Sequence, residues 1–134
     1  MQLCSNILCT HKFNRGLSRL LHTELHWLYV LELVTFNLGL MVFNCLHNQA
    51  PQYLVNLCQS VSSVASRQHL RSASRCLLIV PRHHLSSSYV RRAFPVAGPA
   101  IWNWLSDSLR YPATSRDSFE RSLKTFLFLA YSCT

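Results

Sequence analysis

The chain has 134 residues, enough for one domain with a modest hydrophobic core. It carries 13 Lys and Arg against 5 Asp and Glu, a net charge of +8, and a surface of that charge attracts polyanions such as nucleic acid. No acidic residue lies between Glu32 and Asp107, and no two acids are neighbours, so the paired carboxylates that hold metal ions in nucleotidyl transfer are excluded.

Residues 1–24 form a poorly defined amino-terminal segment without a recognisable signal peptide, because Lys12 and Arg15 follow the short apolar stretch. The six cysteines are therefore expected as free thiols in a reducing intracellular compartment, nucleus or cytoplasm. Four residues have the ligand spacing of a two-Cys, two-His zinc finger, and a zinc-binding module therefore stays an alternative: Cys4, Cys9, His22 and His26. Against this alternative, Arg19 stands where such a finger would place an apolar core residue.

The stretch Leu25–Leu46 is apolar and long enough to cross a bilayer, for which about 20 residues are needed. It also contains Glu32, and a charge is costly in lipid. On a helix, one face carries the apolar residues Val34, Leu38, Met41, Val42 and Cys45. We therefore predict an amphipathic helix that packs against the rest of the protein, and keep a small single-span membrane protein as an alternative.

The next segments are a short helix and a connection. Ala50–Pro51 predicts a turn into a helix through Tyr53 and Leu54, since proline is favoured near a helix start, and this completes a helical segment at 25–59. Residues 60–75 are rich in serine and arginine and predict a mobile, partly disordered basic linker.

Residues 76–134 are predicted as a hairpin followed by two helices. The apolar run Cys76–Val80 ends at Pro81 and is typical of a short buried strand, to which Tyr89–Val96 would pair back after a polar turn. Gly98–Pro99 would then break the chain and start a helix with Trp102 on its buried face.

The last predicted helix opens at Asp117, with Glu120 three residues later in a capping-box pattern. Its buried face is predicted to carry Phe119, Leu123, Phe126 and Leu127, which recur at helical spacing, while its basic residues face solvent or phosphate.

Three separated phrases stand out in the sequence: Leu25–Leu28, Cys45–His47 leading into Ala50–Leu54, and Arg92–Asn103. In this order and at this spacing they resemble the carboxyl-terminal tail of the reverse-transcriptase polyprotein of LINE-type (non-LTR) retrotransposons. The likeness extends from about Lys12 to Phe128. Such a tail lies outside the catalytic core, so the resemblance implies a piece of an enzyme that helps to hold template RNA or target DNA.

Catalytic residues are not expected in this chain. Asp107 and Asp117 are isolated, and neither a Gly-x-Ser-x-Gly nucleophile motif nor a Gly-rich phosphate loop is present. We expect no cofactor, no metal and no small-molecule substrate.

The sequence thus predicts an α+β, mainly α fold, with several short helices around a small β-hairpin. We expect a non-catalytic fragment that acts at most as an accessory segment for RNA or DNA, with Trp104 or Tyr89 available for base stacking. A fragment without independent function stays an alternative. The phosphate contacts would come from six arginines: Arg67, Arg71, Arg75, Arg82, Arg91 and Arg92.

Overall fold

The structure is a computed structural model that describes residues 20, 21, 23–25, 27–82 and 88–132. Within these ranges the chain is mainly helical, as predicted. Two short 3₁₀ helices, Val61–Ser63 and Ala65–Arg67, lie between the second and third α-helices. The α-helices are α1 Val30–Leu46, α2 Gln52–Val55, α3 Arg71–Ser74, α4 Ser88–Arg92, α5 Phe94–Trp104 and α6 Arg116–Ser132.

The core forms where α1 packs against α5 and α6. Two glycines allow the helices to approach closely. A Cβ added to Gly39 of α1 would lie 3.1 Å from a methyl group of Leu123 in α6. A Cβ added to Gly98 of α5 would lie 3.2 Å from a methyl group of Val42 in α1. The fully buried side chains of this core include Val42, Phe119, Leu123 and Leu127.

Helix α1 begins later than predicted, at Val30 instead of Leu25, because Tyr29 is extended with φ −64° and ψ 164°. The carboxylate of Glu32 accepts the N–H of Tyr29 at 3.0 Å, which satisfies one of the free amides of the first turn. The helix ends in a Schellman motif. Asn48 takes the left-handed conformation with φ 55°, and the next amide, of Gln49, donates to the carbonyl of Asn44 at 2.8 Å.

The predicted packed face of α1 is confirmed in part, since Val42 and Cys45 are buried. Val34 is 50% exposed and Met41 39% exposed, although both were expected on the packed face. The residues that α1 buries are Glu32, Gly39, Val42, Phe43 and Cys45. Against α6, Gly39 permits close approach at Leu123, and the ring of Phe43 stacks on that of Phe119.

Residues 60–75 contain the two 3₁₀ helices and α3, so regular turns occupy the segment predicted as a linker. Its first turn is capped by Ser60, whose hydroxyl accepts the N–H of Ser62 at 3.3 Å. Helix α3 ends in a second Schellman motif, with the amide of Leu77 donating to the carbonyl of Ser72. The mobility of this segment remains a prediction.

The predicted β-hairpin does not form in the described part of the chain. Leu78 lies on an extended segment and is 3% exposed, but its antiparallel bridge is to Ser60. The second predicted strand, Tyr89–Val96, is helical and spans α4 and the start of α5. Pro95 favours a helix start over a strand, because it occupies the first turn of α5. Its fixed φ suits a helix, and an N–H in that turn would have no partner within the helix.

Helix α5 continues through Gly98–Pro99, where the sequence predicted a break and a helix start. A proline at this depth forfeits the hydrogen bond to the carbonyl of Pro95 but need not end an 11-residue helix. Both Gly98 and Pro99 are buried, so packing against α1 compensates for the lost bond.

Helix α6 begins at Arg116, close to the predicted start at Asp117. Its first turn is capped by Ser115, whose hydroxyl accepts the N–H of Ser118 at 3.4 Å. The predicted buried face is confirmed for Phe119, Leu123 and Leu127, each 0% exposed, while Phe126 is partly buried.

Candidate nucleic-acid interface

The acidic side chains of the described chain are largely occupied by contacts within the protein. Asp107 binds both Arg75 and Arg110, and Glu120 binds Arg116 at 3.1 Å. Glu32 is 1% exposed. Seven exposed Lys and Arg have no ion-pair partner among the residues that the structure describes: Arg67, Arg71, Arg82, Arg91, Arg92, Arg121 and Lys124.

The six predicted arginines fall into three places. Arg67 ends the second 3₁₀ helix, while Arg71 and Arg75 flank α3. Arg82 follows the extended segment around Leu78. Arg91 and Arg92 form the last turn of α4, which packs on α5.

Arg75 differs from the other five predicted arginines, because its guanidinium is bound to Asp107. The closest pair of atoms is Nη2 and Oδ1 at 3.1 Å, and Nε lies 3.3 Å from each carboxylate oxygen. Both side chains are more than half exposed, at 57% and 60%. The ion pair, whose carboxylate also binds Arg110, engages this arginine within the fold and makes it the weakest of the six as a phosphate contact.

Arg110 was missed by the sequence analysis and is the most highly connected side chain of the described chain. It is 3% exposed, and it donates to the carbonyls of Asn103 at 2.9 Å, Arg75 at 3.2 Å and Leu105. Its Nη2 also binds Asp107. Two of these carbonyls belong to the end of α5, where helix carbonyls lack partners and a cation is favoured by the helix dipole.

The surroundings of Arg110 lower the pKa of its guanidinium, first through burial and then through the positive charge of Arg75. Its spacing of three residues from Asp107 was the sequence signal that could have indicated the contact. The three side chains Arg75, Asp107 and Arg110 thus form one charged cluster that ties α3 to the end of α5.

Trp102 and Asn103, the last two residues of the phrase Arg92–Asn103, hold the extended segment around Leu78 against α5. The amide of Asn103 accepts the N–H of Leu78 at 2.8 Å and donates to the carbonyl of Leu78 at 2.9 Å, as a neighbouring strand would. Trp102 is 2% exposed, in agreement with its predicted core position, and its indole N–H donates to the carbonyl of Cys76 at 3.0 Å.

Of the two aromatic residues predicted to stack on bases, the structure describes the side chain of Trp104. Trp104 is 51% exposed, and its ring packs edge-on against Phe126 with centroids 5.3 Å apart. Base stacking by Trp104 stays a prediction. The side chain of Tyr89 lies outside the described residues.

Three free cysteines are described, Cys45, Cys58 and Cys76. Burial first and the neighbouring Cys45 second raise the pKa of the Cys58 thiol to about 12. Burial also raises the pKa of Cys45. Both thiols therefore stay protonated and unreactive at neutral pH.

The zinc ligands predicted at Cys4, Cys9, His22 and His26 lie outside the described residues. In the described ranges, no group of three or more His, Cys, Asp and Glu side chains is placed to hold a metal ion.

The amino-terminal part of α1 exposes an apolar surface. Val30 is 76% exposed and Leu31 73% exposed. By length and composition, Thr23–Leu46 could cross a membrane, and 28% of its most apolar window is buried inside the protein. The uninterrupted helix α1 has 17 residues, a length of about 26 Å at about 1.5 Å per residue.

Comparison of the chain with protein-family models, curated proteins and solved structures finds no match.

Proposed function

We propose that this chain is a non-catalytic carboxyl-terminal fragment of a LINE-type retrotransposon reverse transcriptase, with nucleic-acid binding as its one activity. The observation that carries the binding activity is the set of exposed arginines that have no acidic partner in the part of the chain that the structure describes, since phosphate oxygens are the natural counter-charge. The proposed contacts are Arg67, Arg71, Arg82, Arg91 and Arg92.

The assignment to this class of element rests on the order and spacing of the three sequence phrases. Residues of these phrases have structural roles that fit a folded tail. Asn103 pairs with the backbone of Leu78, and Gly98 permits the contact between α5 and α1. An upstream reading frame that encodes an adjacent Asp-Asp polymerase motif would support this origin, and an unrelated upstream frame would contradict it.

The binding activity is tested with a single-stranded RNA oligonucleotide and fluorescence anisotropy. The double variant Arg67→Ala/Arg71→Ala removes two unpaired charges and should weaken binding. With two fewer phosphate contacts, binding releases fewer counterions from the nucleic acid. Arg116→Ala is the matched control, since that arginine is bound to Glu120. Equal affinities for the double variant and the control would contradict the proposal.

A second candidate function, a small single-span membrane protein, is favoured by one observation. The segment Thr23–Leu46 is apolar enough to cross a bilayer, and large side chains such as Val30 and Leu31 point into solvent. A spanning protein would remain in the membrane pellet after alkaline carbonate extraction. Release of the chain into the supernatant would exclude this candidate and leave nucleic-acid binding.

A further inference from the structure

A cavity of about 340 Å³ lies between the end of α1, the segment 76–78 and the loop after α5. This volume is near the lower end of the range for small-ligand pockets, about 300–1,000 Å³. Its walls are mostly aromatic and apolar. The residues that matter for recognition are Phe43, His47, Ser60, Trp102, Arg110 and Tyr111.

The guanidinium that lines the cavity is mostly engaged in contacts within the protein, which favours an uncharged ligand. Arg110 contributes to the wall, but its guanidinium is bound to Asp107 and to backbone carbonyls. An anion entering the cavity would find most of the donors of that side chain already engaged, because Nε and Nη1 bind backbone carbonyls and Nη2 binds Asp107. A flat neutral ring would instead gain contacts with the aromatic walls.

The rim of the cavity offers a stacking surface and polar atoms. Tyr111 is 64% exposed, so its ring stands at the mouth of the cavity. The Nδ1 atom of His47 lies 2.9 Å from the carbonyl of Phe43, to which it can only donate. In the neutral imidazole this leaves Nε2 as an acceptor for a ligand N–H. A heterocycle with ring and exocyclic N–H groups suits this combination.

The cavity is next to the basic segment of the chain. Ser60 and Cys76 line it, and the residues between them carry Arg67 and Arg71. The first 3₁₀ helix packs on α3, so the two ends of this segment are held together. A ring in the cavity would therefore lie close to a surface that attracts phosphate.

We propose that this cavity binds a single nucleobase of a single-stranded nucleic acid, with Tyr111 stacking on the base at the entrance. The inference rests on the proposed nucleic-acid function and adds a base-binding site to the phosphate contacts.

The test compares Tyr111→Ala with Tyr53→Ala, an equally exposed tyrosine on α2, at 68% exposure, that does not line the cavity. The probes are a labelled single-stranded RNA and an abasic ribose-phosphate strand of the same length. Loss of a base stack should weaken RNA binding by Tyr111→Ala about tenfold. The abasic strand should bind both variants and the unmodified protein alike, and Tyr53→Ala should bind RNA normally.

Two other outcomes separate the site from the proposed function. If Tyr111→Ala binds RNA normally while Arg67→Ala/Arg71→Ala does not, the cavity inference is overturned and phosphate binding stands. If the unmodified protein does not bind RNA, the proposed function is overturned, and saturation-transfer NMR with free adenosine decides whether the cavity binds a base. A signal that Tyr111→Ala abolishes supports the base site, and an absent signal overturns it.

Discussion

Replacement of Arg110 by methionine should unfold the protein at a much lower urea concentration. Methionine keeps most of the buried volume of the side chain but has no donors. The carbonyls of Arg75, Asn103 and Leu105 would then lose the donor that binds them in the native fold. An unsatisfied buried acceptor costs about 1–3 kcal/mol. The contact to Leu105 is buried and the other two are partly buried, so the lower limit for each of the three gives about 3 kcal/mol.

The loss of Asp107 as an ion-pair partner adds little to this figure. Its carboxylate is 60% exposed and keeps Arg75, so water and the second arginine satisfy it. We therefore expect the free energy of unfolding to fall by about 3–4 kcal/mol, a large part of the stability of a small domain. Arg110→Lys keeps the charge but not the planar guanidinium, so its free energy of unfolding should lie between those of the unmodified protein and Arg110→Met.

Urea denaturation monitored by circular dichroism measures the free energy of unfolding of each variant. Arg116→Met is the control, because that arginine is exposed and pairs with Glu120 one helical turn away, a contact worth about 0.5 kcal/mol or less. A loss of less than about 1 kcal/mol for Arg110→Met would refute the reasoning, since it would mean that the three carbonyls find other partners at little cost.

Three further predictions concern single side chains. Cys76 has φ 53°, so Cys76→Gly should be more stable than Cys76→Ala by about 1 kcal/mol in thermal denaturation, and the reverse order would contradict left-handed strain there. Asn103→Leu should cost about 2 kcal/mol, because both backbone groups of Leu78 lose their partner, whereas a neutral effect in urea denaturation would show that the pairing is dispensable. The folded-state pKa of Cys58, about 12, is raised above its ordinary 9.0, so its contribution to stability is full below pH 9 and lost as pH rises towards 12. Unfolding free energies measured across that range should fall less steeply for Cys58→Ala than for the unmodified protein, and equal slopes would refute the raised pKa.

Helical spacing in the sequence predicted the parts of the fold that depend on apolar burial. Phe119, Leu123 and Leu127 recur along α6 and are all fully buried. Trp102 was assigned to the core for the same reason. These positions are predictable because a helix has 3.6 residues per turn, so apolar residues spaced three or four apart lie on the same face.

The region between Tyr89 and Pro99 could not be predicted in this way. Its prolines and Gly98 are local signals of strand ends and turns, yet α5 runs through them. Burial of Gly98 against Val42 outweighs the hydrogen bond that Pro99 cannot make. That compensation depends on contacts with α1, which is distant in sequence, and tertiary packing of this kind overrides local preference.

The candidate interface was predictable in part from charge alone. The acid-free stretch correctly indicated a surplus of exposed arginine, and Arg67 and Arg71 are exposed without an ion-pair partner among the described residues. Sequence could not separate these from Arg75, because its contact to Asp107 forms only when α3 meets the end of α5. Arg75 lies 32 residues from its partner.

The salt dependence of single-stranded RNA binding tests the central claim most directly. Each phosphate contact contributes about −0.7 to the slope of log affinity against log salt concentration. Five arginine contacts therefore predict a slope of about −3.5, with about −2.1 remaining in Arg67→Ala/Arg71→Ala. Affinity that does not change with salt, or a slope that these two substitutions leave unaltered, would contradict the claim that the unpaired arginines hold the nucleic-acid backbone.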